Sequence, residues 1–291
     1  MNAPIRSLSP IVPALADRSI GALLVDDGKL SLEQAEQILR RQRETGLRFG
    51  EAALQLGLLR EEELRFALAR QFGYPYLRQG ETQVSAEVTA AFQPYGPQIE
   101  ALRALRSQLM LRWFTGEGGR CLAILGPGRG DGRSRLAANL AVMFAQLGER
   151  TLLLDADLRH GRLHGLFGVD NRSGLSTLLS GRVESPPLTG VAGLSELTVL
   201  PAGPVPPNPQ ELLGREAFGQ LLQQLAGSFD VVVVDTPAGT DYADAQTIAA
   251  RAGGALMAVR QHRCSQGAVA ALGRSLEQLG VVLVGSVLLR H

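Results

Sequence analysis

Cys121–Leu140 reads CLAILGPGRGDGRSRLAANL, and the chain is best understood outward from this stretch. Cys121 to Leu125 are apolar without alternation, as a strand covered on both faces must be. Gly126, Gly128, Gly130 and Gly132 follow, and then Ser134. Glycines let the backbone turn back and aim successive N–H groups into one concavity, and the next helix adds the positive end of its dipole. A strand, a phosphate-cradling loop and a helix are therefore predicted. The ligand-binding segment runs over Gly128, Arg129, Gly130, Asp131, Gly132, Arg133, Ser134 and Arg135. Such a turn is also an ordinary chain reversal, so its meaning depends on its surroundings.

The general phosphate-loop pattern is G-x-x-x-x-G-K-[ST], with the lysine on the β- and γ-phosphates and the hydroxyl on magnesium. Here Pro127 stands at the first glycine position, one residue after Gly126, and Arg133 replaces the lysine. Ser134 keeps its place. Arginine is a permanent cation, but its planar fork is bulkier than an ammonium and does not substitute freely at a tight site. Phosphate binding should tolerate the exchange better than fast chemistry does.

Two further stretches give the loop its context. Leu152–Arg159, LLLDADLR, is an apolar strand ending in Asp155 and Asp157, which the i, i+2 spacing puts on one side. Val231–Pro237, VVVVDTP, is a second buried strand, ending in Asp235. Either acid alone could cap a helix. Together, hard oxygen ligands at strand ends beside a phosphate loop suit magnesium, with Ser134, Asp155 and Asp235 as its candidate ligands. Alternating strand and helix patterns predict an α/β fold of the P-loop type, a mostly parallel, doubly wound sheet with its ligand at the carboxyl ends of the strands.

GxGRS in the loop, LLLDADLR and VVVVDTP resemble the Walker A, A′ and B motifs of the bacterial protein tyrosine kinases that regulate exopolysaccharide chain length. HGRLHGLFGVDNRSGLSTLLSG and LPAGPVPPNPQELL agree with that catalytic domain, from about Glu100 onward. In the EpsG-type members the likeness extends to the loop arginine. The resemblance implies ATP and Mg2+ as cofactors, phosphoryl transfer to protein tyrosine, and Arg133, Asp155, Asp157 and Asp235 as catalytic residues. Asp157 would orient or deprotonate the acceptor hydroxyl. Glu100, Arg103 and Arg106 match the family's E-x-x-R-x-x-R helix, which joins subunits in a ring. The polar face they share is otherwise an ordinary solvated face. A membrane-embedded chain-length determinant is the implied partner, with a homo-oligomer at the inner membrane.

Two departures favour a competing expectation, a catalytically weak, nucleotide-dependent scaffold. The family's C-terminal tyrosine cluster has no counterpart, since the tyrosines are Tyr74, Tyr76, Tyr95 and Tyr242. Val287-Leu288-Leu289 also stands where the family often has V-L-N beside the base. An ATPase of the partition or septum-positioning type would carry a second lysine early in the loop, and none is there.

A length of 291 residues suits one large α/β unit with a smaller one. Net charge is +1, which gives no case for nucleic acid or an acidic membrane. Lys29 is the one lysine among 29 cations. Cys121 and Cys264 read as packing residues in a reducing compartment rather than a disulfide. No run approaches the ~20 apolar residues that span a bilayer, and Pro4, Pro10, Pro13 and Asp17 interrupt any signal peptide. A cytoplasmic protein without direct membrane insertion is expected.

Residues 1–17 read as a flexible arm. Ser19–Gln42 and Arg48–Gln71 are both 24 residues long and lie five apart. At an offset of 29, Gly21 matches Gly50, Gly28 matches Gly57, Leu30 matches Leu59, Leu39 matches Leu68 and Gln42 matches Gln71. Duplication is the economical explanation, each repeat being a short helix, a glycine turn and a second helix. Ser31 with Gln34 is a capping-box signal. A small helical adaptor would satisfy this pattern. It also resembles the N-terminal domain of type II secretion and pilus ATPases, which binds cyclic di-GMP through such paired motifs. Carried over by position, the ligand residues would be Ile20, Gly21, Leu39, Gln42, Arg48, Phe49, Gly50, Leu64, Leu68 and Gln71; Ser19 and Ala35 depart from that pattern.

The expected boundaries are therefore a repeat domain over 18–90 and a kinase-like domain over 91–291, with turn-rich text from Phe72 to Pro97 between them. Helices are expected over Ile99–Trp113, Leu136–Leu147, Phe218–Ala226 and Gln266–Leu279, and the last strands over Gly254–Arg260 and Val281–Leu289. Residues 160–215 read as a loop-rich lid or interface. His160 and His164, at i, i+4, lack the company of a zinc site.

Overall fold

The computed structural model describes residues 19–71, 74–115 and 119–290. The expected arm over 1–17 lies outside them. Two compact units meet in sequence between Tyr76 and Leu77, and each is described by itself.

The first unit holds α1 (Ile20–Asp26), α2 (Leu32–Thr45), α3 (Phe49–Gln55) and α4 (Glu61–Gln71). The duplication is structural. Gly28 and Gly57 turn the chain between the helices of each repeat at φ +65° and +66°, a conformation that costs a side chain about 1–2 kcal/mol. Ser31 and Gln34 form the expected reciprocal cap. Leu24 with Ala53, Leu30 with Leu59 and Ile38 with Ala67 are repeat-related pairs in one core. Gly21 and Gly50 are places of close approach: a Cβ would stand 3.1 Å from the Phe49 ring in one case and 2.7 Å from Leu64 in the other.

The second unit begins earlier than its motifs suggest. Residues 77–90, expected to belong with the repeats, pack here. Leu77, Val84, Val88, Ala90 and Ala91 join its core. α5 (Thr89–Phe92) is followed by α6 (Pro97–Leu109), which runs into a π-turn at Met110–Phe114 instead of continuing as α-helix to Trp113. There the Trp113 indole donates to the Cys121 carbonyl at 3.0 Å and its ring lies on Gly254, where a Cβ would be 2.2 Å away.

β1 (Cys121–Leu125), α7 (Arg133–Ala145) and β2 (Thr151–Asp155) come next, then α8 (Leu163–Phe167), α9 (Leu175–Leu179), β3 (Thr189–Val191), β4 (Leu194–Leu200) and α10 (Pro209–Gly214). The chain ends with α11 (Glu216–Ser228), β5 (Val231–Asp235), α12 (Asp244–Ala252), β6 (Gly254–Arg260), α13 (Gln266–Gln278) and β7 (Val282–Leu289). Residues 160–215 are thus far from loop alone, since β4 pairs in parallel with β2. The sheet runs β3-β4-β2-β5-β1-β6-β7, parallel except for β3. Leu122 and Ile124 of β1 face one core while Cys121, Ala123 and Leu125 face the other. That double burial is the reason for the unalternating apolar runs.

Asn139 of α7 secures the start of this unit. Its Oδ1 accepts from the Ala90 N–H at 2.8 Å and the Thr89 hydroxyl at 3.1 Å, and its Nδ2 donates to the carbonyls of Glu87 and Arg135. Asn139→Ala leaves buried backbone groups unpaired and is expected to cost about 1–3 kcal/mol, read as a lower denaturant midpoint. An unchanged midpoint would show that residues 77–92 do not depend on this network.

Candidate nucleotide-binding site

Strand register assembles the site. Asp155 ends β2 opposite Asp235, and Asp235 ends β5 opposite Ile124 of β1. Both carboxylates therefore stand at the mouth of the loop that leaves β1.

The loop is held from several sides. Gly126 sits so close to β6 that a Cβ would be 2.8 Å from the Ala258 carbonyl. The segment after β5 runs beside it: Gly239 N–H donates to Gly126 at 3.0 Å, and the Thr240 N–H and hydroxyl both donate to Pro127, at 3.0 and 2.6 Å. Asp131 is buried and closes the loop on itself, accepting the Gly128 N–H at 2.5 Å. Gly130 and Gly132 have φ +74° and +89°, and α7 starts at Arg133 rather than Leu136, placing Arg133 and Ser134 in its first turn.

Arg133 is 8% exposed and lies inside the loop. Its Nε donates to the Thr236 carbonyl at 3.0 Å and its Nη1 to the Gly128 carbonyl. The guanidinium thus ties the loop to the end of β5, using two of its nitrogens on backbone. Arg129 points outward, its Nε on Asp241 at 3.1 Å and its Nη2 on the Tyr242 hydroxyl at 3.0 Å. Arg135 has its Nη2 4.0 Å from where a Gly132 Cβ would lie.

Asp155 and Asp235 are fully buried. Asp155 accepts N–H groups of Asp157 and Leu163, at 3.2 and 3.0 Å. Burial, and then the neighbouring Asp235 carboxylate, hold its pKa well above the ordinary range. Asp235 is pushed up to about 7, by burial first, against the Ser134 hydroxyl and the Arg133 charge. Its Oδ1 takes the Thr236 N–H at 3.0 Å, while its buried Oδ2 has no hydrogen-bond partner. An orphaned carboxylate oxygen beside a second buried carboxylate and a serine hydroxyl fits a hard divalent cation. Ser134, Asp155 and Asp235 are the residues that would hold it. Asp157 caps its own turn, Oδ1 accepting from Arg159 and His160 N–H groups at 3.2 and 2.9 Å.

Sequence reasoning missed the residues behind Arg159. Its Nε donates to buried Asp244 at 2.7 Å, and its guanidinium lies 4.1 Å over the Tyr242 ring. Asp244 and Tyr242 lie more than eighty residues away, and only the acid opening α12 hinted at them. Leu289, at the end of β7, packs on the loop: a Gly132 Cβ would be 2.9 Å from its Cδ1.

On the polar face of α6, Arg103 and Arg106 are bonded within their own unit. Arg103 pairs with Glu100 and donates to the Pro94 carbonyl at 2.6 Å, and Arg106 Nη1 donates to Met143 at 3.1 Å. The helix packs close enough to α7 for the second arginine to cap a carbonyl there. In the first unit none of the ten positions from Ile20 to Gln71 that match the cyclic di-GMP motifs is fully buried, and Leu39 is 40% exposed.

A phosphate loop facing strand-end carboxylates across a parallel sheet defines a P-loop nucleotide-binding protein. No established protein-family profile matches the chain. It is 36% identical over 194 residues to the putative tyrosine-protein kinase EpsB of Ralstonia solanacearum, covering 67% of this chain and 26% of that protein. Against the tyrosine-protein kinase YwqD of Bacillus subtilis the identity is 34% over 167 residues, 56% of this chain and 70% of that one. The solved kinase domain of the Escherichia coli tyrosine kinase Etk superposes with a TM-score of 0.67 at 32% identity, over 73% of this chain and 82% of that one. The chain belongs to the bacterial tyrosine-protein kinase family. It spans about a quarter of the length of the first curated relatives it matches. Among the described residues no helix is long and apolar enough to cross a membrane.

An acid whose pKa folding raises keeps its proton in the folded chain at pH values where the unfolded chain has lost it. Stability contributed by Asp235 is therefore full below about pH 4 and is lost as pH rises through about 7. Denaturant midpoints of the ligand-free protein should fall from about pH 5 to about pH 8, and Asp235→Asn should flatten that fall. An equal slope in the variant would remove Asp235 as its source.

Proposed function

We propose that the chain is a MgATP-dependent protein tyrosine kinase acting in exopolysaccharide chain-length control and export, in the cytoplasm at the inner membrane beside a membrane-embedded chain-length determinant. The observation that carries this is the pair of buried carboxylates, Asp155 and Asp235, facing a loop built to take phosphate. Loop N–H groups and the first turn of α7 bind the phosphates, with Arg133 bracing the loop around them. Bound magnesium supplies charge neutralisation on the phosphates during transfer. Asp155 and Asp235 would hold the ion as carboxylates, its charge offsetting their mutual repulsion. Asp157 lies at the same strand end and is the carboxylate available to orient or deprotonate an acceptor hydroxyl. Glu100, Arg103 and Arg106 remain the proposed subunit contact, on a helix face already partly held to its own unit.

The repeat unit supports a second ligand. The ten matching positions retain exposure, so cyclic di-GMP regulation belongs to this proposal. The scaffold alternative draws on Arg133, whose Nε and Nη1 are committed to backbone carbonyls.

Titration calorimetry with ATP, with and without magnesium, tests the core of it. Magnesium-dependent binding is expected, weakened about tenfold or more in Arg133→Ala. Phosphotransfer to the tyrosines of a co-purified partner should vanish in Asp155→Asn. Binding without any transfer would favour the scaffold, and no binding at millimolar ATP would sink both. Cyclic di-GMP titrated separately should bind and lose affinity in Arg48→Ala; no heat from the unaltered chain would leave the repeats as an adaptor.

A further inference from the structure

Arg260 is the last residue of β6, the strand that flanks β1 on the side away from β5. It reaches the exposed tip of the phosphate loop, where Nη1 donates to the Gly130 carbonyl at 2.6 Å. Among the described residues its guanidinium makes no ion pair. An arginine beside an anion-binding loop, bonded to a neutral carbonyl and paired with no acid, keeps its charge for something else.

The contact also fixes a peptide. In a trans peptide the carbonyl and the next N–H point to opposite sides. Drawing the Gly130 carbonyl toward Arg260 turns the Asp131 N–H away from it. Glycines at 128, 130 and 132 leave this peptide little intrinsic preference, so an outside donor decides it. Arg260 is itself fixed by a tight turn: its carbonyl accepts the Arg263 and Cys264 N–H groups at 3.2 and 3.1 Å, and its own N–H meets the Cys264 sulfur at 3.2 Å. His262 in that turn is the non-glycine residue held at positive φ, +62°, a conformation that persists where surrounding contacts impose it.

We propose that Arg260 is a positioning residue of the phosphate site. It holds the Gly130–Asp131 peptide so that the Asp131 N–H meets the nucleotide phosphates, and it adds attraction through its unpaired charge. This rests on the nucleotide-binding proposal above.

MgADP titrated into the full chain, Arg260→Met and Arg260→Lys provides the test. The methionine keeps the apolar stem and removes the donor; its affinity should fall about tenfold or more, with the thermal midpoint of the ligand-free protein unchanged. Lysine restores one donor and the charge, and should recover binding to within about threefold. The Asp131 amide resonance should shift in the methionine variant and return in the lysine variant. Should the methionine variant not fold, Arg260→Gln, a neutral donor, should bind more weakly than Arg260→Lys. Methionine binding like arginine, lysine failing to rescue, or glutamine matching lysine would overturn the proposal while nucleotide binding stands. No binding by the unaltered chain would overturn both.

Discussion

Two carboxylates buried against one another at the ends of adjacent parallel strands are the constraint on which the site depends. Asp155 and Asp235 are brought together by register, opposite one another in the β2–β5 ladder. Burying two like charges is costly, and in the ligand-free chain burial holds both carboxyls above the ordinary carboxylate range.

The surroundings follow from that constraint. Arg133 and Ser134 enter from the first turn of α7, and Thr236 links β5 back to β1 through its hydroxyl, which donates to the Ile124 carbonyl at 2.8 Å. The segment after β5 fastens the start of the loop and β6 fastens its tip. A chain rich in glycine over residues 126–132 would have many conformations in isolation; here its carbonyls are taken by donors from Gly239, Thr240, Arg133 and Arg260. The loop's shape belongs to the sheet more than to the loop.

Much of this was legible in one dimension. Strands buried on both faces announce themselves as unbroken apolar runs, so β1, β2 and β5 and their terminal acids could be placed, and a duplicated 24-residue pattern carried its glycine turns with it. β4 escaped because Ser195, Glu196 and Thr198 break its apolar character near the sheet's edge. The π-turn escaped because Trp113 keeps helical spacing while a distant carbonyl and Gly254 decide its position. Arg133 opens α7, and its bonds to Gly128 and Thr236 depend on where β5 ends. Asp244 and Arg260 are long-range partners, whose pairings with Arg159 and Gly130 do not follow from the spacing of a single sequence.

Residues 77–92 have a consequence for how such proteins can be recombined. This strap looks like linker when read as text, with polar residues, a glycine and little periodicity. In the fold it is bonded into α7, the helix that begins at the phosphate loop. A graft that exchanged the repeat unit for another domain, joined where the kinase motifs begin, would strip α7 of its covering and expose apolar surface. The transferable module starts at Leu77, well ahead of the first residue that betrays its chemistry.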